Sequence, residues 1–235
     1  MTYFKEVYED LKVEPDKKQS VLSADGTVHE TTSTTINILK RSLEFSKQMG
    51  HLIASNKSKT GSFVITSFAD FVSKIVEALL TDLETKSKGY KKPILANIFL
   101  LNNYHYVFKG ISTTKLSENI VASLLDTVDK SIKKQLDLYR ASWMSIVEHL
   151  MDTTKISDQG KIVVQLSKQQ RDAVKEKFKN FNKDFDELYQ TQKAYAVPDV
   201  ELRALVVKDI KQIIVPMYNR FYDKYKKPAY IFRLI

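Results

Sequence analysis

The imidazoles of the chain are His29, His51, His105 and His149, well separated in sequence. His29-Glu30-Thr31-Thr32-Ser33 opens like the helix of a zinc protease, where two imidazoles one turn apart share a metal and the glutamate between them acts as base. Ser33 stands where the second imidazole would have to be, so that chemistry is excluded. Cysteine is absent, which removes thiolate catalysis, disulfide frameworks and cysteine-held metal sites and suits a reducing compartment. No two glycines lie within six residues of each other, so a phosphate-cradling loop is absent, as is a Gly-x-Ser-x-Gly elbow. Asp126 and Asp129 share a helix face, but two carboxylates three apart on a charged helix are ordinarily solvated. No catalytic residue, metal or cofactor is expected, and the chain reads as a non-enzyme.

What remains is charge. The chain carries a formal +9, and the excess is C-terminal: residues 161–235 hold 16 Lys and Arg against 9 Asp and Glu. Lys168, Arg171, Lys175, Lys179 and Lys183 fall within about 120° of a helical wheel, beside a phenylalanine face and with Asp172 and Asp186 interleaved. Arg220, Lys224, Lys226, Lys227 and Arg233 form a second cluster, opposed by Asp223 and interspersed with Phe221, Tyr222, Tyr225, Tyr230 and Phe232. An acidic partner is expected for the terminal cluster, while the stripe reads first as a solvated face and second as another anion-binding surface.

Long tracts free of glycine and proline must position these side chains, which predicts helices joined by short loops. From Ser117 to Leu150 apolar residues recur in steps of three and four, including Leu124, Val128, Ile132, Leu136, Tyr139, Trp143, Ile146 and Val147. Ser167-Lys168-Gln169-Gln170 is a capping-box pattern opening a helix that buries Val174, Phe178, Phe181 and Phe185. Val197-Pro198-Asp199 ends it, and Leu202, Val206, Ile210, Ile213, Met217 and Phe221 mark another helix, expected to bend at Pro216. Further helices are expected near 2–11, 31–53, 63–86 and 93–109, with loops around 12–30 and 54–62. Alternating strand patterns are weak.

The expected architecture is all-α: stacked antiparallel helical bundles forming part of an elongated rod, with a first bundle over 1–160 and a basic C-terminal bundle over 161–235 packed on it. The start of the chain lacks a secretory pattern, and no apolar tract approaches the ~20 residues of a membrane span. A cytosolic protein is expected. From charge alone a basic all-helical nucleic-acid-binding module is the alternative reading, although the aromatic residues stand at core spacing rather than as a base-stacking platform.

Four segments, Asp25-Gly26-Thr27-Val28-His29-Glu30, Asn97-Ile98-Phe99-Leu100-Leu101-Asn102-Asn103, Lys177-Phe178-Lys179-Asn180-Phe181-Asn182 and Val197-Pro198-Asp199-Val200-Glu201-Leu202-Arg203, follow in that order. Together they resemble the C-terminal region of the seventy-kilodalton subunit of the exocyst, a vesicle-tethering complex. The resemblance implies a non-enzymatic subunit built as a rod of helical bundles and recruited peripherally to plasma-membrane sites of secretion. It implies phosphoinositide lipids, Rho-family GTPases and other exocyst subunits as partners, and no nucleic acid. Arg220, Lys224, Lys226, Lys227 and Arg233 are then the expected lipid-binding residues, with Lys168, Arg171, Lys175, Lys179 and Lys183 as a second stripe. The family continues through a basic motif and a closing helix, so the last bundle is expected to be shortened at its end; Ala229 and Phe232 stand where the family carries basic residues.

Overall fold

The computed structural model describes residues 22–55, 65–119, 122–151 and 166–226, and among these the chain is helical with no strand. The α-helices are α1 (Glu30–Ser42), α2 (Ser46–Ser55), α3 (Phe68–Ser87), α4 (Pro93–Ser112), α5 (Ala122–Val147), α6 (Lys168–Lys193) and α7 (Val200–Tyr225). Short 3-10 turns occupy Leu43–Phe45, Lys115–Asn119 and Glu148–Leu150. The helix expected over 2–11 and the bundle boundary expected at 160 lie outside the described residues. The chain divides into two compact units, Met1–Leu138 with Tyr195–Val200, and Tyr139–Ala194 with Glu201–Ile235.

In the first unit α4 is the central element. It has proline at its first turn, where the missing N–H would have had no helical partner. Eleven of its 20 residues are buried, so apolar side chains point to all sides rather than along one stripe. Ile98, Phe99, Leu101, Val107 and Ile111 meet a core supplied by Ile36 and Leu39 of α1 and by Phe71, Val72, Ile75, Leu79 and Leu83 of α3. The approach of α1 to α4 is set at Gly110: a Cβ there would stand 2.7 Å from Cγ2 of Ile36. Ser67 caps α3 by accepting from the Asp70 N–H at 3.0 Å, while Asp70 accepts from the Thr66 N–H at 2.7 Å.

Two side chains of α4 tie down the segments before α1 and after α6. Asn103 Oδ1 accepts from the His29 N–H at 2.9 Å and from the Thr32 hydroxyl at 2.6 Å, and its Nδ2 donates to the Phe99 carbonyl at 2.7 Å. Asn102 Nδ2 donates to the carbonyls of Gly26 at 2.7 Å and Ala196 at 2.8 Å. The turn at Asp25-Gly26 is closed by Asp25 Oδ1 accepting from the Thr27 N–H, and Gly26 sits at φ +74, a backbone region that favours glycine. The Asp25 carbonyl accepts from the Ala196 N–H at 2.8 Å, and Lys109 pairs with Asp199 at 2.8 Å. Two of the four segments singled out in the sequence therefore meet in one hydrogen-bonded clasp, joined by Ala196, the residue just before a third.

The second unit is organised by aromatic rings. Phe178 of α6 meets Phe221 of α7 edge-on at 4.7 Å, and Phe181 packs on Tyr218 at 5.6 Å and on Phe185 at 5.9 Å. Trp143 of α5 reaches Phe185 at 5.9 Å and donates its indole N–H to Gln192 at 3.2 Å. Trp143, Phe178, Phe181 and Phe221 are buried as their spacing predicts, whereas Phe185 is half-buried. Asp209 of α7 is buried and bonded by the Arg140 guanidinium, so its charge is compensated where water is scarce.

Two element boundaries differ from expectation. The helix expected over 31–53 is interrupted at Leu43–Phe45, just after the buried Ser42 turns its hydroxyl back to the Leu39 carbonyl at 2.7 Å. The helix expected from Ser117 begins instead at Ala122 and tightens into a 3-10 turn at Glu148. α7 runs on through Pro216. Proline leaves the Gln212 carbonyl without its helical donor, but Gln212 and Pro216 are both exposed, so water can take that place.

Candidate anion-binding surface

α6 carries the first basic group. Its start is fixed by the capping box the sequence predicts: Ser167 Oγ accepts from the Gln170 N–H at 3.2 Å, and Gln170 Oε1 accepts from the Ser167 N–H at 2.9 Å. That register, with Val174, Phe178 and Phe181 turned inward, places Lys168, Lys175, Lys179 and Lys183 on the exposed side. Arg171 is half-buried and donates to the Leu166 carbonyl at 2.8 Å, so part of its guanidinium is engaged in holding the helix start. Lys183 lies 3.8 Å from Glu187 with both side chains two-thirds exposed, a pairing that water and salt screen heavily. The sequence reading missed Lys193, which is exposed and falls on the same arc at 100° per residue. Its distance from Lys183 along the chain hid it; continuing the wheel to the helix end finds it.

The terminal group is arranged differently. Arg220 and Lys224 are one turn apart on α7, Arg220 exposed and Lys224 half-buried with its ammonium 5.4 Å from the Tyr225 ring centroid. Lys226 points to another side of the helix, pairs with Asp223 at 2.6 Å and lies 5.9 Å from the Tyr222 ring. The Asp223 carboxylate holds the Lys226 ammonium above its ordinary pKa, so it stays charged while already partly neutralised. Lys227 and Arg233 lie outside the described residues. The three described members of this group therefore do not share a face, and two of them are engaged with rings or a carboxylate of their own helix end.

The residues considered for chemistry have structural partners. His29 is the N-cap of α1, its Nδ1 accepting from the Thr31 N–H at 3.1 Å. His149 Nε2 lies 2.7 Å from Asp184. Asp126 and Asp129 pair with Lys130 at 3.1 Å and Lys133 at 2.6 Å along the exposed face of α5. Among the described residues no group of three or more His, Cys, Asp or Glu side chains is placed to hold a metal ion. No helix of the described residues is long and apolar enough to cross a membrane.

The family model for the C-terminal part of the Exo70 exocyst complex subunit matches residues 1–231. The chain is 32% identical over 228 residues to exocyst complex component 7 of Homo sapiens, an overlap covering 92% of this chain and 30% of that one. It is 28% identical over 221 residues to exocyst complex component EXO70A1 of Arabidopsis thaliana, covering 93% of this chain and 34% of the relative. The solved structure of Saccharomyces cerevisiae Exo70 superposes with a TM-score of 0.66 at 18% identity, over 96% of this chain and 46% of that one. The chain spans about a third of the length of the curated relatives it matches.

Proposed function

Since the chain belongs to the family of Exo70 C-terminal regions, we propose that it serves as a non-enzymatic part of an exocyst subunit in vesicle tethering at sites of secretion. In this reading it binds other exocyst subunits, a Rho-family GTPase and the phosphoinositides of the plasma membrane, to which it is recruited peripherally from the cytoplasm. The observation that carries the lipid part is the exposed basic face of α6, where Lys168, Lys175, Lys179, Lys183 and Lys193 outnumber the interleaved Asp172 and Asp186 on one side of a single capped helix. Each basic side chain near an anionic leaflet contributes about 1 kcal/mol, and clusters of four to eight are the usual signature. Arg220, Lys224, Lys226, Lys227 and Arg233 add to this attraction from the end of the chain.

Co-sedimentation with vesicles of neutral phosphatidylcholine, with and without a phosphoinositide, tests the reading. Binding is expected with phosphoinositide only and should weaken as salt shortens the screening length. Lys175→Glu, Lys179→Glu and Lys183→Glu together should abolish it, while Lys224→Glu, Lys226→Glu and Lys227→Glu together should reduce it. Unchanged sedimentation of both triple variants, with helical circular dichroism retained, removes the lipid part. A pull-down with GTP-loaded and GDP-loaded Rho proteins tests the GTPase part; equal and negligible capture by both removes it.

A further inference from the structure

α7 carries an apolar line that the fold leaves uncovered. At 100° per residue Ala204, Val207, Lys211, Val215 and Tyr222 fall within about 80° of arc. Val207, Val215 and Tyr222 are 46%, 48% and 41% exposed, while Leu202, Val206, Asp209 and Ile210 on the other side are buried. A surface helix ordinarily turns one apolar face inward and a polar one outward. α7 is apolar on both. Single exposed apolar residues are commonplace, but this line continues for about 27 Å from Ala204 to Tyr222. Lys211 need not break it, because a lysine can lay its methylene stem along an apolar line while its ammonium stays in water.

The borders of the line are mainly basic. By the same wheel Arg203 flanks one side and Lys208 the other, both exposed, against the exposed Glu201 at the helix start, while Lys226 beyond the helix end is paired with Asp223. Between Leu202 and Tyr222 the sequence holds one acidic residue, Asp209, and that one is buried against Arg140. The outer face of this stretch therefore presents Arg203, Lys208 and Lys211 around an apolar centre, with Glu201 just before it, and this net positive charge favours an acidic partner over a basic one. The short, stiff valines suit close packing of another helix, whereas insertion into a lipid interface relies on larger Trp, Phe and Leu side chains.

We propose that this line is a docking surface for an amphipathic helix of a partner protein, whose own apolar line is flanked by Glu and Asp. The docking surface is separate from the basic face of α6: lipid attraction there needs no apolar line, and docking here needs no vesicle.

The whole chain is titrated into a fluorescently labelled synthetic peptide long enough to span the line, with Leu at the matching positions and Glu on both flanks. A twin peptide carries Lys in place of every Glu. The acidic peptide should bind and the basic one should not. Val207→Asp with Val215→Asp should weaken the acidic peptide by about tenfold or more, and Lys208→Glu with Lys211→Glu should do likewise while admitting the basic peptide. All four positions are exposed, so circular dichroism and the urea midpoint should match wild type. Failure of the acidic peptide to bind, or equal binding by wild type and both variants, overturns the proposal. A self-association that Val207→Asp with Val215→Asp abolishes assigns the line to a second copy and also overturns it. Loss of vesicle co-sedimentation in that same variant, with no peptide binding by wild type, assigns it to lipid and does the same.

Discussion

Asn103 is fully buried and uses both ends of its carboxamide, accepting from His29 and Thr32 while donating to Phe99. Truncating it strands the fully buried Thr32 hydroxyl and removes the acceptor of the part-buried His29 N–H. Asn103→Ala is expected to destabilise by about 3 kcal/mol in urea denaturation; a loss within about 0.5 kcal/mol would show that the stranded groups reach solvent. His29, held by that carboxamide, caps α1 through an Nδ1 that must be unprotonated to accept from Thr31. Its pKa is lowered, first by burial and then by Lys86, against the opposing charges of Asp82 and Glu30; Asn103 and Phe99 of α4 also face it. A depressed native pKa means that the unfolded state takes up the proton first as pH falls. The His29 contribution should therefore be complete above about pH 6.5 and shrink as pH falls through that value towards the lowered native one. Asparagine caps without titrating, so His29→Asn should flatten this part of the stability profile. Equal pH dependence in the variant and wild type between about pH 7.5 and 5.5 would remove the assignment.

At the level of the helices, Gly110 and Phe181 show two ways in which packing overrules local preference. Gly110→Ala improves helix propensity by about 1 kcal/mol, yet the new methyl meets Cγ2 of Ile36 at 2.7 Å, and Ile36 is fully buried, so the side chain must shift within a packed core. The net effect should be destabilising by about 1–3 kcal/mol. Pairing it with Ile36→Ala should cost less than the sum of the two single changes, and strict additivity would show that the two sites do not touch. Phe181→Ala should cost about 3–5 kcal/mol, because the ring is 4% exposed and packs against Phe185 and Tyr218. Calorimetry or urea titration decides it. The periodicity of α5 and α6 was legible because each has one apolar stripe, that of α7 because Leu202, Val206 and Ile210 recur in steps of four, and the Ser167 cap because Gln170 stands three residues on. Apolar on all sides, α4 gives no stripe from which to read its central place. The break at Leu43–Phe45 follows a serine hydroxyl bond that composition does not encode.

For the molecule as a whole, the sequence yielded the helical class and the basic face of α6, both of which depend on periodicity within one segment. It did not yield the clasp, since Gly26, Asn102 and Ala196 are brought together by long-range hydrogen bonds. Nor did it separate the sides of α7 on which Arg220, Lys224 and Lys226 stand, because that depends on the helix running through Pro216 to Tyr225. The uneven distribution of burial has a consequence in time. Three of the 26 residues of α6 are buried, against eleven of the 20 in α4. Opening α6 locally exposes less apolar surface than opening α4, so its amides should exchange with deuterium through partial openings, at least about tenfold faster than those of α4, which should wait for global unfolding. Equal protection of the two helices would show that α6 opens only with the rest of the chain. On that expectation the lysine-bearing helix closes and reopens while the remainder stays folded, and an anionic surface that binds it should register as slowed exchange along its length.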